Sequence, residues 1–218
     1  MNMDVSGTQI TEAMLAELHD AVASRMSGKR LAHTYGVERM AVRLGELYCP
    51  EAIPELRAAA LLHDVTKEES LEKQLQLCRV FGIMVDAADT LAPKTFHAKT
   101  AAALIARDFP AFASPVVVEA VRWHTTGHEG MTLTEKLIYL ADYIDDTRTF
   151  PDCVTLREVF WCRNPEKLNR EGRDAHLRDV MILSYDMTIR NLLMEGTPVC
   201  RDTFLARNEL ICQRAGLL

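Results

Sequence analysis

The chain has 218 residues, 48% of them hydrophobic and 26% charged, which is the composition of an ordinary globular protein with material for one substantial core. A formal net charge of −6 excludes a domain that neutralises many nucleic-acid phosphates through a basic face, so no nucleic-acid partner is expected and a small ligand is favoured. No apolar run is long enough to cross a bilayer, and Met1 to Thr8 is polar and unlike a signal peptide, so the expected setting is cytoplasmic with no membrane partner.

Every patterned segment repeats at helical spacing and none alternates long enough for a half-buried strand, so the fold class is all-α. A first helix spans about Gln9 to Met26, with Ile10, Met14, Leu18 and Val22 four residues apart; its His19 sits one position off that stripe, on the surface. The second, about Lys29 to Tyr48, puts His33, Val37, Met40, Ala41, Leu44 and Tyr48 on one face, so His33 points inward. A third, about Pro54 to His63, opens on a proline and delivers His63-Asp64 behind the apolar run Ala58 to Leu62. Leu71 to Phe81 follows, N-capped by Ser70 and stopped by Gly82.

After a looser stretch broken by Pro93, the helix from about Phe96 to Asp108 groups His97 with Ala101, Leu104 and Ile105. Ser114-Pro115 opens a helix whose Val117, Val121 and His124 share a face and which ends at Thr125-Thr126-Gly127; His128, in the loop beyond, is expected to be solvated. Thr132 and Glu135 form a capping box for the helix that carries Asp142 behind the run Leu137 to Ala141. Asp145 to Arg148 reads as a polar turn, Phe160 to Asp174 as a long connection and Asp174 to Glu195 as a long helix. Asp202 or Thr203 is the expected cap of a closing helix that ends near Gly216. Six cysteines lie at positions 49, 78, 153, 162, 200 and 212 with no C-x-x-C pair, so free thiols are expected rather than a zinc ribbon or redox motif.

A single inward histidine is more often structural than functional, but His33, His63, Asp64 and Asp142 all fall in apolar helices or at their ends. An unpartnered buried carboxylate costs several kcal/mol, so chains keep one where a cation or a hydrogen-bond network meets it. Two imidazoles and two carboxylates are a ligand set for a divalent metal, and the lack of cysteine among them admits iron, manganese or zinc.

In that order the four residues match the signature of the HD superfamily of metal-dependent phosphohydrolases. The wider pattern comprises His63-Asp64-Val65-Thr66-Lys67, His97, Trp123-His124-Thr125-Thr126-Gly127, Tyr139 to Ile144 and Arg148, flanked by Lys29 to Thr34 and Asp202 to Asn208. It resembles the YqeK family, the HD-type symmetrical bis(5'-nucleosyl)-tetraphosphatases, across about Lys29 to Asn208. The resemblance implies an HD-domain helical bundle that hydrolyses diadenosine tetraphosphate to two ADP at an iron site. His33, His63, Asp64 and Asp142 would be the ligands, and Asp64, Lys67, His97 and His124 the catalytic groups.

It further implies that Lys67, His97, His124, Thr125 and Arg148 face phosphates, and that Val199 to Phe204, with Cys200, Asp202 and Thr203, lies near the nucleoside. In related HD enzymes with two ions, positions like His97 and His124 bind the second; protonated, they could instead add positive charge or serve as the acid for the leaving group. The bland alternatives are a solvated pair of Lys67 with Glu68 or Glu69, and a surface pair of Arg148 with Asp145 or Asp146. The family tail carries a histidine and a proline where this chain has Cys200-Arg201, and Phe160 to Asp174 is longer than usual.

The expected organisation is an N-terminal helix over 1–28 packed on the domain, a metal-binding core over 29–150, and C-terminal helices over 151–218 that complete the same domain. The expected partner is a dinucleoside polyphosphate or a nucleotide, and the sequence leaves room for a homodimer. Two readings compete: an HD-type phosphatase of nucleoside monophosphates or other phosphoesters, and a non-catalytic nucleotide-binding module. The intact ligand set argues against the second.

Overall fold

Eleven α-helices and no strand make up the described residues, 9–218, of the chain's computed structural model; the polar segment Met1 to Thr8 lies outside them. In chain order the helices are α1 Glu12–Ala23, α2 Gly28–Tyr48, α3 Ile53–Leu62, α4 Leu71–Val80, α5 Ala87–Leu91, α6 Phe96–Asp108, α7 Pro115–Trp123, α8 Leu133–Ile144, α9 Pro151–Cys162, α10 Arg170–Met194 and α11 Arg201–Arg214. The all-α class is as the periodicity indicates.

The helix starts follow from capping chemistry. Backbone N–H groups of Arg30, Lys73 and Val117 donate to the hydroxyls of Ser27, Ser70 and Ser114 at 3.2–3.4 Å, and Thr132 and Glu135 close the capping box of α8. Helix α3 forms the centre: Leu56, Ala58, Ala59, Ala60, Leu61 and Leu62 are fully enclosed, between α2, α7 and α8, with α1 against it as well. Its run of alanines lets the neighbouring helices approach, which brings the ends of α3, α7 and α8 and the first two turns of α2 together.

The C-terminal third departs from the sequence reading. Pro151–Cys162 is helical, and the long connection expected over Phe160 to Asp174 shrinks to a short link with one 3-10 turn at Pro165–Lys167. Asn164 turns the chain with a left-handed φ of 48°, and the Asn169 side chain accepts the Gly172 N–H at 2.8 Å, so α10 starts four residues before Asp174. Of the polar residues that suggested a loop, Arg170 and Glu171 are exposed in that first turn, whereas Arg173 is half-buried and donates to the Leu47 carbonyl. Neither Asp202 nor Thr203 caps α11: Cys200 takes the N-cap position without a side-chain bond, and the Thr203 hydroxyl donates to the Thr126 carbonyl at 3.0 Å. All six cysteines are free thiols, and among the described residues no helix is long and apolar enough to cross a membrane.

Gly127, which ends the turn after α7, has φ of +62°, and a Cβ there would meet the Tyr185 hydroxyl at 2.0 Å. Gly127→Ala combines a left-handed backbone penalty of about 1–2 kcal/mol with an overpacking cost of about 1–3 kcal/mol. The melting temperature should therefore fall by about 5 °C or more. Gly130→Ala, with φ of +80° but no atom within 4 Å of its Cβ, should lose only the backbone part; equal losses in calorimetry would contradict this packing.

Candidate metal centre

Five helices and the turn after α8 deliver the parts of a single buried cluster. His33 comes from the second turn of α2, His63 caps the C-terminus of α3 with Asp64 next to it, and His97 lies in the first turn of α6. His124 caps the end of α7, Asp142 is in the last turn of α8, and Asp145 follows α8. Four imidazoles and three carboxylates thus meet where Ala and Leu side chains otherwise fill the space.

Backbone carbonyls orient three of the rings in the same way. Nδ1 of His63, His97 and His124 donates to the carbonyl of the residue three positions earlier, Ala60, Lys94 and Val121, at 2.6, 2.7 and 2.7 Å. A carbonyl can only accept, so Nδ1 carries a proton, which in the neutral form of the ring leaves the Nε2 lone pair turned to the cluster. That is the tautomer and outer bond a metal-ligating histidine requires. His33 is held from the other side, with Nδ1 3.4 Å from the Thr147 hydroxyl and 3.2 Å from Asp145 Oδ2.

The inward atoms sort into two groups on either side of Asp64. Its Oδ2 lies 3.7 Å from His33 Nε2 and 3.4 Å from His63 Nε2, while Asp142 Oδ1 lies 3.0 and 3.7 Å from the same two nitrogens. Neither nitrogen has an aligned hydrogen-bond partner, although both are buried. Donor atoms each about 2.1 Å from an ion stand about 3.0–3.4 Å apart, so these four side chains fit a divalent cation. On the other side, Asp64 Oδ1 is 3.2 Å from His97 Nε2 and 3.9 Å from His124 Nε2, and the two nitrogens are 3.0 Å apart. Two facing lone pairs need something positive between them, which a shared proton or a second cation supplies.

The charge balance explains how this cluster stays folded. Burial alone would push the Asp64 carboxyl up, but His63 and His97 hold it well below the usual carboxylate range. Burial would do the same to Asp142, which Arg148 and His33 hold down. For His33 burial works downward and is overridden by Asp142 and Asp145, leaving it at about 9, so an ion entering there must displace a proton. Burial pushes His124 well below its ordinary value, with His97 and His63 adding to the effect, and burial also lowers His97. Both shifts favour the neutral, lone-pair-donating ring over the cationic acid that the sequence reading had allowed.

Positive charge comes from three other side chains. Arg148 donates Nε to the Asp142 carbonyl at 2.8 Å and a terminal nitrogen to its carboxylate, and its Nε also lies 3.6 Å from Asp145 Oδ2, so its pair with Asp145 is a buried one rather than a surface one. Lys67 turns inward, its Nζ 3.3 Å from both ring nitrogens of His97, while Glu68 bonds the backbone and hydroxyl of Ser27 instead. Arg30, absent from the sequence-derived set, donates to Asp64 Oδ2 at 2.5 Å. It stands three residues before His33, on the same helix face, which is the signal that could have revealed it.

Asp145 is the second residue the sequence reading missed. It is fully enclosed, its Oδ1 accepts the Thr147 N–H at 2.8 Å, and its Oδ2 faces His33 Nδ1. It approaches only because Gly36 lacks a Cβ, which would lie 2.6 Å from Asp145 Oδ1. A cavity of about 570 Å³ opens above the cluster, bordered by Lys67, Lys94, His97, His124, Thr125 and Arg148. Thr125 Oγ1 is 3.2 Å from His124 Nε2. Among the described residues, Cys200, Asp202 and Thr203 do not line this cavity; Thr203 is tied to Thr126, and Asp202 interacts with Arg122.

Comparison with known proteins adds the family context. Residues 30–147 match the family model of the HD domain. The chain is 30% identical over 190 residues to a protein of Bacillus subtilis (strain 168) named bis(5'-nucleosyl)-tetraphosphatase, symmetrical, covering 87% of this chain and 94% of that one. It is 30% identical over 168 residues to a protein of the same name from Staphylococcus aureus, covering 77% and 84%. A crystal structure from Clostridium acetobutylicum, described as a predicted HD superfamily hydrolase involved in NAD metabolism, superposes with a TM-score of 0.77 at 29% identity, over 91% of this chain and 97% of that one.

Removing the carboxylate behind His33 tests the outer bond without touching a candidate ligand. Asp145→Asn should keep the helical circular dichroism spectrum while weakening divalent-ion affinity about 10- to 100-fold in chelator competition. Unchanged affinity would show that Asp145 does nothing for the ring.

Proposed function

Because the chain belongs to the HD domain family, we propose that it is a metal-dependent phosphoanhydride hydrolase that cleaves diadenosine tetraphosphate between its two inner phosphates to give two ADP. The observation that carries this reading is the convergence of two buried imidazole nitrogens, neither with an aligned hydrogen bond, and two carboxylates beneath a cavity rimmed by Lys67, Lys94 and Arg148. His33, His63, Asp64 and Asp142 hold the ion in this reading. The proposed ion is iron, as the resemblance implies, and the sulfur-free imidazole and carboxylate donors suit it.

When bound, the ion supplies Lewis acidity at a phosphoryl oxygen and acidifies water at the attack position. The chain's own residues do the remaining work. Arg148 offers a planar pair of N–H donors that matches two phosphate oxygens, and Arg30 offers the same from the opposite side of Asp64. Both arginines rest on the carboxylates that would hold the ion, and their remaining N–H donors would meet phosphate oxygens beside it. Lys67 places its ammonium beside His97, where charge on the inner phosphates has to be offset. Thr125 Oγ1 stands beside the Nε2 atoms of His97 and His124 and can hold water or a phosphate oxygen there.

The acidic chain repels polyanions at long range, so binding depends on these few placed cations rather than on a basic surface. Six unpaired thiols, three of them buried, support a reducing, cytoplasmic setting.

Chromatography of products from diadenosine tetraphosphate tests the proposal. ADP should be the sole nucleotide product, with activity lost on chelation and restored by divalent metal. Asp64→Ala should lose bound metal and turnover together, whereas Arg148→Ala should keep the metal and lose about tenfold or more in kcat/KM. AMP with ATP as products, or orthophosphate released from a monophosphate as the main reaction, would contradict the reading.

A further inference from the structure

The cavity above the cluster extends further than a phosphate chain requires. From Lys67 and His97 it passes Asp142 and Arg148 and ends at Tyr143, Phe150, Asp152 and Asn191, where α8, α9 and α10 meet. The lining changes character on the way. Lys67, Lys94 and Arg148 supply its cations near the cluster, and beyond Arg148 the lining contains none, only aromatic, proline, thiol, amide, hydroxyl and carboxylate groups. Such an end suits an uncharged, flat, polar-edged group better than another phosphate.

Phe150 is the residue that most needs an explanation. It occupies the N-cap of α9, where a serine, threonine or aspartate would bond the first turn, and it makes no capping bond. Its side chain is 66% exposed on the rim of the cavity, while the apolar core beneath is closed without it. Pro151 fixes the backbone directly after it, so the ring is presented from a defined position. Across the cavity end, Asn191 Nδ2 donates to Asp152 Oδ2 at 2.7 Å, which fixes the amide and leaves its carbonyl oxygen free to accept.

We propose that this end is a nucleoside subsite, in which the Phe150 ring stacks on the base of one half of the substrate while Asn191 and Asp152 meet its amine or hydroxyl groups. The inference rests on the hydrolase reading above: a substrate cut symmetrically at the cluster must send one nucleoside to each side, and the Arg148 side leads here. A ring stacked on a base is sequence-tolerant, so the subsite selects for a nucleobase rather than for one particular base.

Steady-state kinetics of the metal-loaded protein test it, with diadenosine tetraphosphate as substrate and inorganic tetraphosphate, which has no nucleoside, as competitive inhibitor. Phe150→Ala should lower kcat/KM for the dinucleotide about tenfold while the inhibition constant of inorganic tetraphosphate stays within about twofold. Phe150→Trp, which keeps a stacking face, should restore most of the loss. Unchanged kcat/KM in Phe150→Ala, or a parallel loss of tetraphosphate binding, would overturn the subsite while leaving the hydrolase reading intact. A wild-type protein that cleaves no dinucleoside tetraphosphate would overturn that reading, and the subsite with it.

Discussion

Asp64 sits between two pairs of imidazoles, with one carboxylate oxygen turned to each pair, and this arrangement governs how the surrounding helices can pack. A carboxylate only 3% exposed is costly unless opposite charge and hydrogen bonds meet it from several sides. Here Arg30 of α2 supplies the charge at 2.5 Å, and imidazoles from α2, α6, α7 and the end of α3 surround the rest of the carboxylate, so its position ties those helix ends together. The same demand explains why arginines rest on both inward carboxylates of the cluster, Arg30 on Asp64 and Arg148 on Asp142.

Rigidity comes from the backbone more than from the side chains. Three histidines use a carbonyl one helical turn earlier to fix their rings, so their Nε2 atoms are set by helix position alone. A second layer of hydroxyl and amide groups ties the start of α6 to the turn after Asp64: Thr66 donates to the His97 carbonyl at 3.0 Å, and Thr100 donates to Gln74 at 2.6 Å. Small residues allow the rest. Alanines in the middle of α3 and Gly36 in α2 leave room for the close approaches that larger side chains would block. A site assembled this way is pre-formed, and its orienting bonds do not depend on a mobile loop.

Much of this was legible in the sequence, for identifiable reasons. The helical period and the capping signals at Ser70, Ser114 and Thr132 depend on local chemistry, and the folded chain uses them as expected. The adjacent His63-Asp64 pair stood out because an ionisable group behind five apolar residues has no ordinary core role. What stayed hidden depends on tertiary contact. Asp145 looked like part of a solvated turn, and only the approach of that turn to Gly36 encloses it. Arg30 fell within the flanking stretch Lys29 to Thr34 without a role of its own. The helix over Pro151–Cys162 escaped notice because it opens on Phe150, a residue that gives no capping signal. The extent of α10 escaped because its first turn carries Glu171, Gly172 and Arg173, residues common in loops.

The central physical claim is that His33, His63, Asp64 and Asp142 share one cation. Metal-edge X-ray absorption on the purified, metal-loaded protein tests it most directly. The account predicts a first shell of nitrogen and oxygen at about 2.0–2.2 Å, with the outer scattering of imidazole rings and no sulfur. A shell of oxygen alone, as for a loosely held hydrated ion, or one containing cysteine sulfur, would contradict it.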